Sequence, residues 1–254
     1  MNAGSQRFFS SGGISLLAPR AALPWTICVL FYGDHADLCR RFLEALYRFT
    51  DPAAFHLRAG MNAVSEETTR LLHEAAERYG NITLFPSKQN LFKLPMMRRM
   101  FHDPPPETDW TIWFDDDSHV TSAHWIMDLA LAMEQAAEVD LFGSLHSVGV
   151  SDHVEQFITS ARWFRDQSRL IGYDGKPIII FPVGGFWAVR TARLAQTNWP
   201  DVRLDHFEDD YLMGEAMRQQ GVRLAHFESG VAISDAPRRA PVEVPWVLAL
   251  DHPP

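Results

Sequence analysis

Residues 110–120 read WTIWFDDDSHV, an apolar run that closes on Trp113 and Phe114 and is followed by three consecutive aspartates, Asp115, Asp116 and Asp117. The run predicts a strand over Trp110 to Phe114, buried on both faces. In an open α/β sheet ligands bind beyond the carboxyl ends of the strands, so these aspartates stand where a ligand would be met. Asp115 and Asp117, two residues apart, can turn two carboxylates toward one hard cation. Such an ion would bridge diphosphate oxygens and neutralise charge on a departing nucleotide. A solvated turn closed by an Asx hydrogen bond is the plainer reading of a lone Asp-x-Asp. The third aspartate and the apolar run ahead of it favour the metal. An EF-hand loop beginning at Asp115 fails, because that motif's glycine and glutamate fall on Val120 and Ile126.

Upstream, strands alternate with helices. Trp25 to Tyr32 (WTICVLFY) is a buried strand running into Gly33-Asp34. Leu38, Phe42, Leu46 and Phe49 then recur at helical spacing until Asp51-Pro52. Phe55 to Ala59 reads as a second strand. Ser65, Glu66 and Glu67 open a helix whose Leu71, Leu72, Ala75 and Tyr79 share a face and whose cap is Gly80. Asn81 to Phe85 is a third strand, and Pro95 starts a helix carrying Met96, Met97, Met100 and Phe101 up to the prolines at 104–106. The three methionines read as core packing.

Downstream of the aspartates, Thr121 or Ser122 caps a helix reaching about Glu138, and Val139 to Phe142 forms a strand. From Ser144 to Pro177 the pattern loosens into an inserted, substrate-facing region. Ile178 to Val189 is a strand containing Gly184-Gly185, Glu208 to Gln220 a helix closed by Gly221, and Val222 to Phe227 a last strand. The alternation predicts an α/β fold with a mostly parallel sheet covered by helices on both faces.

Composition bounds the rest. A chain of 254 residues, 46% hydrophobic, builds one substantial core. A formal net charge of −9 repels polyanions, so nucleic acid would need a local basic patch. No apolar run approaches the roughly 20 residues of a membrane helix, and Pro19 and Arg20 interrupt the N-terminal apolar segment, which makes a poor signal peptide. Cys28 and Cys39, the chain's two cysteines, have no metal-site spacing. They read as buried thiols of a reducing compartment, which makes the expected location cytoplasmic.

In this order and spacing the chain resembles the family 2-like, inverting GT-A glycosyltransferases, from Trp25 to about Arg239. The likeness rests on ICVLFYGDH with its following helix, on WTIWFDDDSHV at the place of the family's Asp-x-Asp motif, and on GGFWAVR followed by HFEDDYLMGEAMRQQG. The chain departs from the pattern at Arg58 to Ala63, where many members carry Asp-x-Ser. It departs again at Asn90-Leu91-Phe92, where many carry Asn-x-Gly. The resemblance implies a Rossmann-like GT-A domain over residues 25–240, with a nucleotide-sugar half at 25–140 and an acceptor half at 141–240. Residues 1–24 would be an arm and 241–254 a proline-rich tail.

It also implies a nucleotide diphosphate sugar as donor and Mn2+ or Mg2+ held by Asp117, Asp115 and His226. Phe31, Tyr32, Lys93, Asp115, Asp116, Arg238 and Arg239 are expected around the donor, with the two arginines on a segment that closes over the diphosphate. Gly184, Gly185 and Trp187 are expected at the acceptor, with Trp187 stacking on a sugar. Asp209 is the expected general base, with Glu208 positioning it or the acceptor. The acceptor is unidentified and stays open among glycan, lipid, small molecule, protein and modified nucleic-acid base.

Each residue also has a structural reading. A histidine on a strand can simply pack, a tryptophan can be core, and acids in a first helical turn are favoured by the macrodipole alone. Two other function classes use the same acids. One is a phosphohydrolase or nucleotidyltransferase, although the dehalogenase-like order places its aspartates after the first core strand and here three strands precede them. The other is a non-catalytic nucleotide-sugar-binding module.

Overall fold

The computed structural model describes residues 25–161, 163–165, 169–197 and 209–236. The expected arm at 1–24, the tail at 241–254, and Glu208, Arg238 and Arg239 lie outside the described residues, as does the side chain of Asp209.

The first half is a run of βα units. Strand β1 (Trp25–Tyr32) leads to α1 (Ala36–Phe49), β2 (Phe55–Asn62) to α2 (Glu66–Tyr79), and β3 (Ile82–Ser87) to α3 (Lys93–His102). The predicted ends of α2 hold: the Ser65 hydroxyl accepts from the Thr68 N–H at 3.3 Å, and Gly80 takes the left-handed conformation at φ +69°. Next come β4 (Trp110–Asp115), the short β5 (His119–Val120) and α4 (Trp125–Gln135). Helix α4 starts later than expected. Ser122 is not its cap; its hydroxyl accepts from the His124 N–H at 3.2 Å in the turn before the helix.

The second half contains β6 (Leu141–Gly149), α5 (Asp152–Ser160), β7 (Leu170–Ile171), β8 (Pro177–Arg190), α6 (Thr191–Gln196), α7 (Asp209–Gln219), β9 (Leu224–His226) and β10 (Val231–Ala232). The region expected to be an irregular insertion is partly sheet, since β6 and β8 stay paired from Leu145↔Pro182 to Gly149↔Ile178. Strands β5, β7 and β10 and helix α6 are too short to show a period in the sequence.

The main sheet runs β3-β2-β1-β4-β8-β6-β9, with β7 beside β8, while β5 and β10 form a separate antiparallel pair. Strand β8 runs against its neighbours β4, β6 and β7; the other pairings of the main sheet are parallel. Both faces are covered. Residues of α3, α5, α6 and α7 pack on one side with Trp113 and Trp187, and residues of α1, α2 and α4 pack on the other with Phe114 and Phe186. This is the α/β single-domain architecture expected from the alternating pattern. Gly60 shows how closely α3 approaches the sheet, because a β-carbon there would lie 2.7 Å from the Met100 sulfur.

Candidate active site

The carboxyl ends of β1, β2 and β4 meet where the register pairs Tyr32 with Asn62 and Leu30 with Asp115. Alternate residues of a strand share a face, and this separates the aspartates. Asp115 lies on the same side as Trp113, whose indole N–H donates to Asp115 Oδ1 at 2.9 Å. Asp116 is only 2% exposed, and its charge acts on Cys39 of α1, on the sheet's other side. The expectation that Asp116 touches the donor is therefore corrected. Asp117 is half-buried. Its carbonyl accepts from Arg41 Nη2 at 3.1 Å and from the Asp235 N–H at 2.8 Å.

Lys93, the first residue of α3, joins the two ends of the site. Its ammonium donates to Asp115 Oδ2 at 2.9 Å and to the Gly184 carbonyl at 3.4 Å, and lies 3.7 Å from Asp210 Oδ1. Asp210, in the first turn of α7, also accepts from the Gly184 N–H at 3.1 Å through Oδ2. The charge and the free amides of a first helical turn favour acids there. Here Asp210 shares the Lys93 ammonium with Asp115 at the end of β4. The sequence reading passed over Asp210 in favour of Asp209, and nothing in the local pattern distinguishes the two.

The two glycines of β8, expected at the acceptor, are closely packed on their side-chain face. A β-carbon on Gly184 would meet Asp210 Oδ1 at 2.4 Å and Lys93 Nζ at 2.7 Å, and one on Gly185 would meet the Ser118 hydroxyl at 2.4 Å. Both glycines therefore make room for the chain's own side chains. Trp187 is corrected too. It is 1% exposed and stacks on Trp113, with ring centroids 5.9 Å apart and planes 15° from parallel, so its face is not open to a sugar. Phe31 is 1% exposed and packs edge-on against Phe42, which removes it from the donor surface. Tyr32, the half-buried last residue of β1, remains at the strand end.

His226 ends β9, three strands from β4, a separation of about 14 Å at ordinary strand spacing. Its Nδ1 accepts from the Leu145 N–H at 3.2 Å. The structure does not bring it to the aspartates. The chain beyond β9 does return to them: the Ser234 N–H donates to the Ser118 hydroxyl at 2.9 Å, and Arg41 Nη1 donates to the Asp235 carbonyl at 2.7 Å. His119 lies beside this junction, and burial, together with the Arg41 charge, holds its imidazole below the ordinary value. Arg41, Asp235 and Asp210 are recruited by tertiary contact, which leaves no period in the sequence.

Asn62, 2% exposed at the end of β2, donates through Nδ2 to Asn90 Oδ1 at 2.8 Å and accepts from the Leu91 N–H at 2.7 Å. Asn90 Oδ1 in turn accepts from the Phe92 N–H at 2.9 Å. Phe92 sits at φ 64°, ψ 172°, a region essentially reserved for glycine.

The chain matches no family model and no curated protein. It does match solved structures. The mannosyltransferase PcManGT from Pyrobaculum calidifontis, solved with GDP-Man and Mn2+, superposes with a TM-score of 0.56 at 14% identity, over 83% of this chain and 56% of that one. S. aureus TarS 1–349 gives 0.54 at 12%, over 82% and 58%. GalNAc-T7, solved with UDP, GalNAc and Mn2+, gives 0.57 at 10%, over 82% and 43%. The chain thus spans about half the length of these structures. At such identities the likeness is one of architecture, and the architecture is the GT-A glycosyltransferase fold.

Proposed function

We propose that the protein transfers a hexose or pentose from a nucleotide diphosphate donor to an acceptor hydroxyl, with inversion at the anomeric carbon. One observation carries the reading. Two acidic clusters distant in sequence, at the end of β4 and the start of α7, lie within reach of a single Lys93 ammonium at the carboxyl edge of a GT-A sheet. A displacement at a sugar carbon needs charge stabilisation on the diphosphate side and a carboxylate on the opposite side to take the acceptor's proton.

In this reading Asp115 and Asp117 would hold a divalent cation, with the ion displacing the Trp113 and Lys93 contacts that Asp115 makes here. Asp115 and Asp117 offer two carboxylates, and among the described residues no group of three His, Cys, Asp or Glu converges on a metal position. Magnesium or manganese accepts such a set, taking its remaining ligands from phosphate oxygens and water. When bound, the ion would neutralise the charge of the leaving diphosphate. Tyr32 and Lys93 complete the donor side in this reading, with Arg238 and Arg239 closing over it. On the acceptor side Asp209 takes the hydroxyl proton, Glu208 orients the acceptor, and Asp210 is held by Gly184 and Lys93. The solved GDP-Man and UDP complexes of the similar structures support a nucleotide-sugar donor.

The test is direct. The protein is incubated with a panel of nucleotide sugars and Mn2+ without acceptor, and slow donor hydrolysis is followed; NMR then gives the anomeric configuration of the released sugar. Inverted product supports the reading. Retained configuration removes the single-displacement mechanism, and an inert panel removes the transferase.

A further inference from the structure

We propose that Asn62, Asn90 and Phe92 form a positioning device that fixes the Lys93 ammonium between the carboxylates of Asp115 and Asp210. The role of the held ammonium in turnover rests on the transfer reading above; its being held does not.

The device has three parts, each with its own observation. Asn62 uses both ends of its amide on the loop before α3, donating to Asn90 at 2.8 Å and accepting from the Leu91 N–H at 2.7 Å. Asn90 closes an Asx-type turn onto the Phe92 N–H at 2.9 Å. These bonds surround Phe92, whose left-handed φ of 64° is strained for any residue with a β-carbon. Lys93 follows immediately. Past it, α3 is pinned by buried Leu94, Met96, Met97 and Met100, so the helix cannot rotate to compensate for a different entry angle. A relaxed φ at residue 92 would redirect the chain as it enters α3 and carry the Lys93 Cα away from Asp115. The side chain is 17% exposed and its ammonium reaches three groups from three different elements: Asp115 of β4, Gly184 of β8 and Asp210 of α7. A long flexible side chain meets so many partners at once only when its origin is set.

The chain's lysines are Lys88, Lys93 and Lys176, and the first and last are exposed, which supplies internal references for an amine-labelling experiment. The full-length protein is treated with a limiting acetylating reagent, and site occupancy is read by peptide mass spectrometry. Lys93 should react about tenfold more slowly than Lys88 and Lys176, as expected for an ordered, paired group. Asn62→Ala and Asn90→Leu should bring Lys93 to the rate of the reference lysines while leaving those two unchanged. Asn90→Ser should keep Lys93 slow, because a serine hydroxyl can still accept from the N–H two residues on. Fast labelling of Lys93 in the wild type, or no effect of Asn62→Ala and Asn90→Leu, overturns the proposal.

Donor hydrolysis tests the coupling. Asn62→Ala should lower turnover about tenfold in the wild-type background and less than about twofold in a Lys93→Met background, since a residue acting through Lys93 loses its effect when Lys93 is gone. Equal losses in both backgrounds overturn the claim that Asn62 works through Lys93. If the wild type turns over no nucleotide sugar, the transfer reading falls, and the labelling rates still decide whether Lys93 is positioned.

Discussion

Single residues divide sharply between those that hold the core and those that face the site. Cys28 and Cys39 belong to the first group. Burial pushes each thiol up to about 12, with the nearby Asp116 charge adding to the effect at Cys39. Both should be inert to a thiol reagent at pH 8 in the native protein and react fully in denaturant. Trp187 is in the same group, so Trp187→Ala should cost about 3–5 kcal/mol of stability by leaving a cavity against Trp113. Asp117 belongs to the second group. Asp117→Asn should abolish Mn2+-dependent binding of a nucleoside diphosphate in calorimetry, and unchanged binding would remove it from the metal site. Asp209→Asn should lower turnover by about 10²–10⁴-fold with donor affinity nearly unchanged, the range of a general base. The companion variant Asp210→Asn then separates base from anchor. A larger loss in turnover there would transfer the base role to Asp210.

At the scale of elements, legibility followed periodicity. Strands β1 and β4 and helices α1 and α2 were readable because a continuous apolar run or a clean 3.6-residue repeat marks them. Strands β5, β7 and β10 have two residues each and leave no such mark. The site was legible where it sits at the end of a readable element, as Asp115 does. It was not legible where tertiary contact alone recruits a residue, as with Arg41 and Asp210. Phe92 is instructive, because it takes a glycine-like conformation at the place where the resemblance leads one to expect glycine, and its N–H donates to Asn90 Oδ1, which Asn62 holds in turn. Elsewhere a single buried acid ties elements together. Asp140 accepts from Arg193 at 3.0 Å and from the Arg223 N–H at 3.1 Å, with Arg190 at 3.7 Å, linking the start of β6 to α6 and the approach to β9. Burial alone would raise its carboxyl, but the arginines and the N–H pull it below the ordinary value. A folded value below the unfolded one means that the stability it supplies is complete above about pH 4 and is lost as pH falls through the folded value. Asp140→Asn should therefore destabilise the protein by about 1–3 kcal/mol at pH 7, since it removes a charge-assisted hydrogen bond from Arg193, the nearby Arg190 retaining its bonds to the Ala137 and Val139 carbonyls. It should also flatten the acid limb of a thermal-midpoint against pH curve. An acid limb identical to that of the wild type would mean that Asp140 is not a source of that dependence.

For the molecule as a whole, an excess of acid has to be reconciled with the anionic donor proposed for it. The chain carries 32 acidic against 23 basic residues, so its average field opposes a nucleoside diphosphate. Binding must come from cations placed within a Debye length, roughly 8 Å at physiological salt, of the phosphates. The fold supplies Lys93 and Arg41 from the first half of the chain, and Arg41 is partly committed to the Asp117 and Asp235 carbonyls. Those same bonds bring residue 235 to the aspartate loop. If Arg238 and Arg239 close over the diphosphate, Arg238→Ala and Arg239→Ala should each weaken GDP or UDP binding in the presence of Mn2+ by about 10–100-fold, the range for hydrogen bonds to a charged group. Raising the salt should shrink the difference between each variant and the wild type, as screening weakens the contribution of an exposed arginine. Trypsin provides a second readout, because cleavage after Arg238 and Arg239 should slow when the nucleotide and Mn2+ are added. Cleavage indifferent to ligand, with affinity unchanged in both variants, would leave Lys93 and the metal as the diphosphate's counter-charges and remove the C-terminal arginines from the donor site.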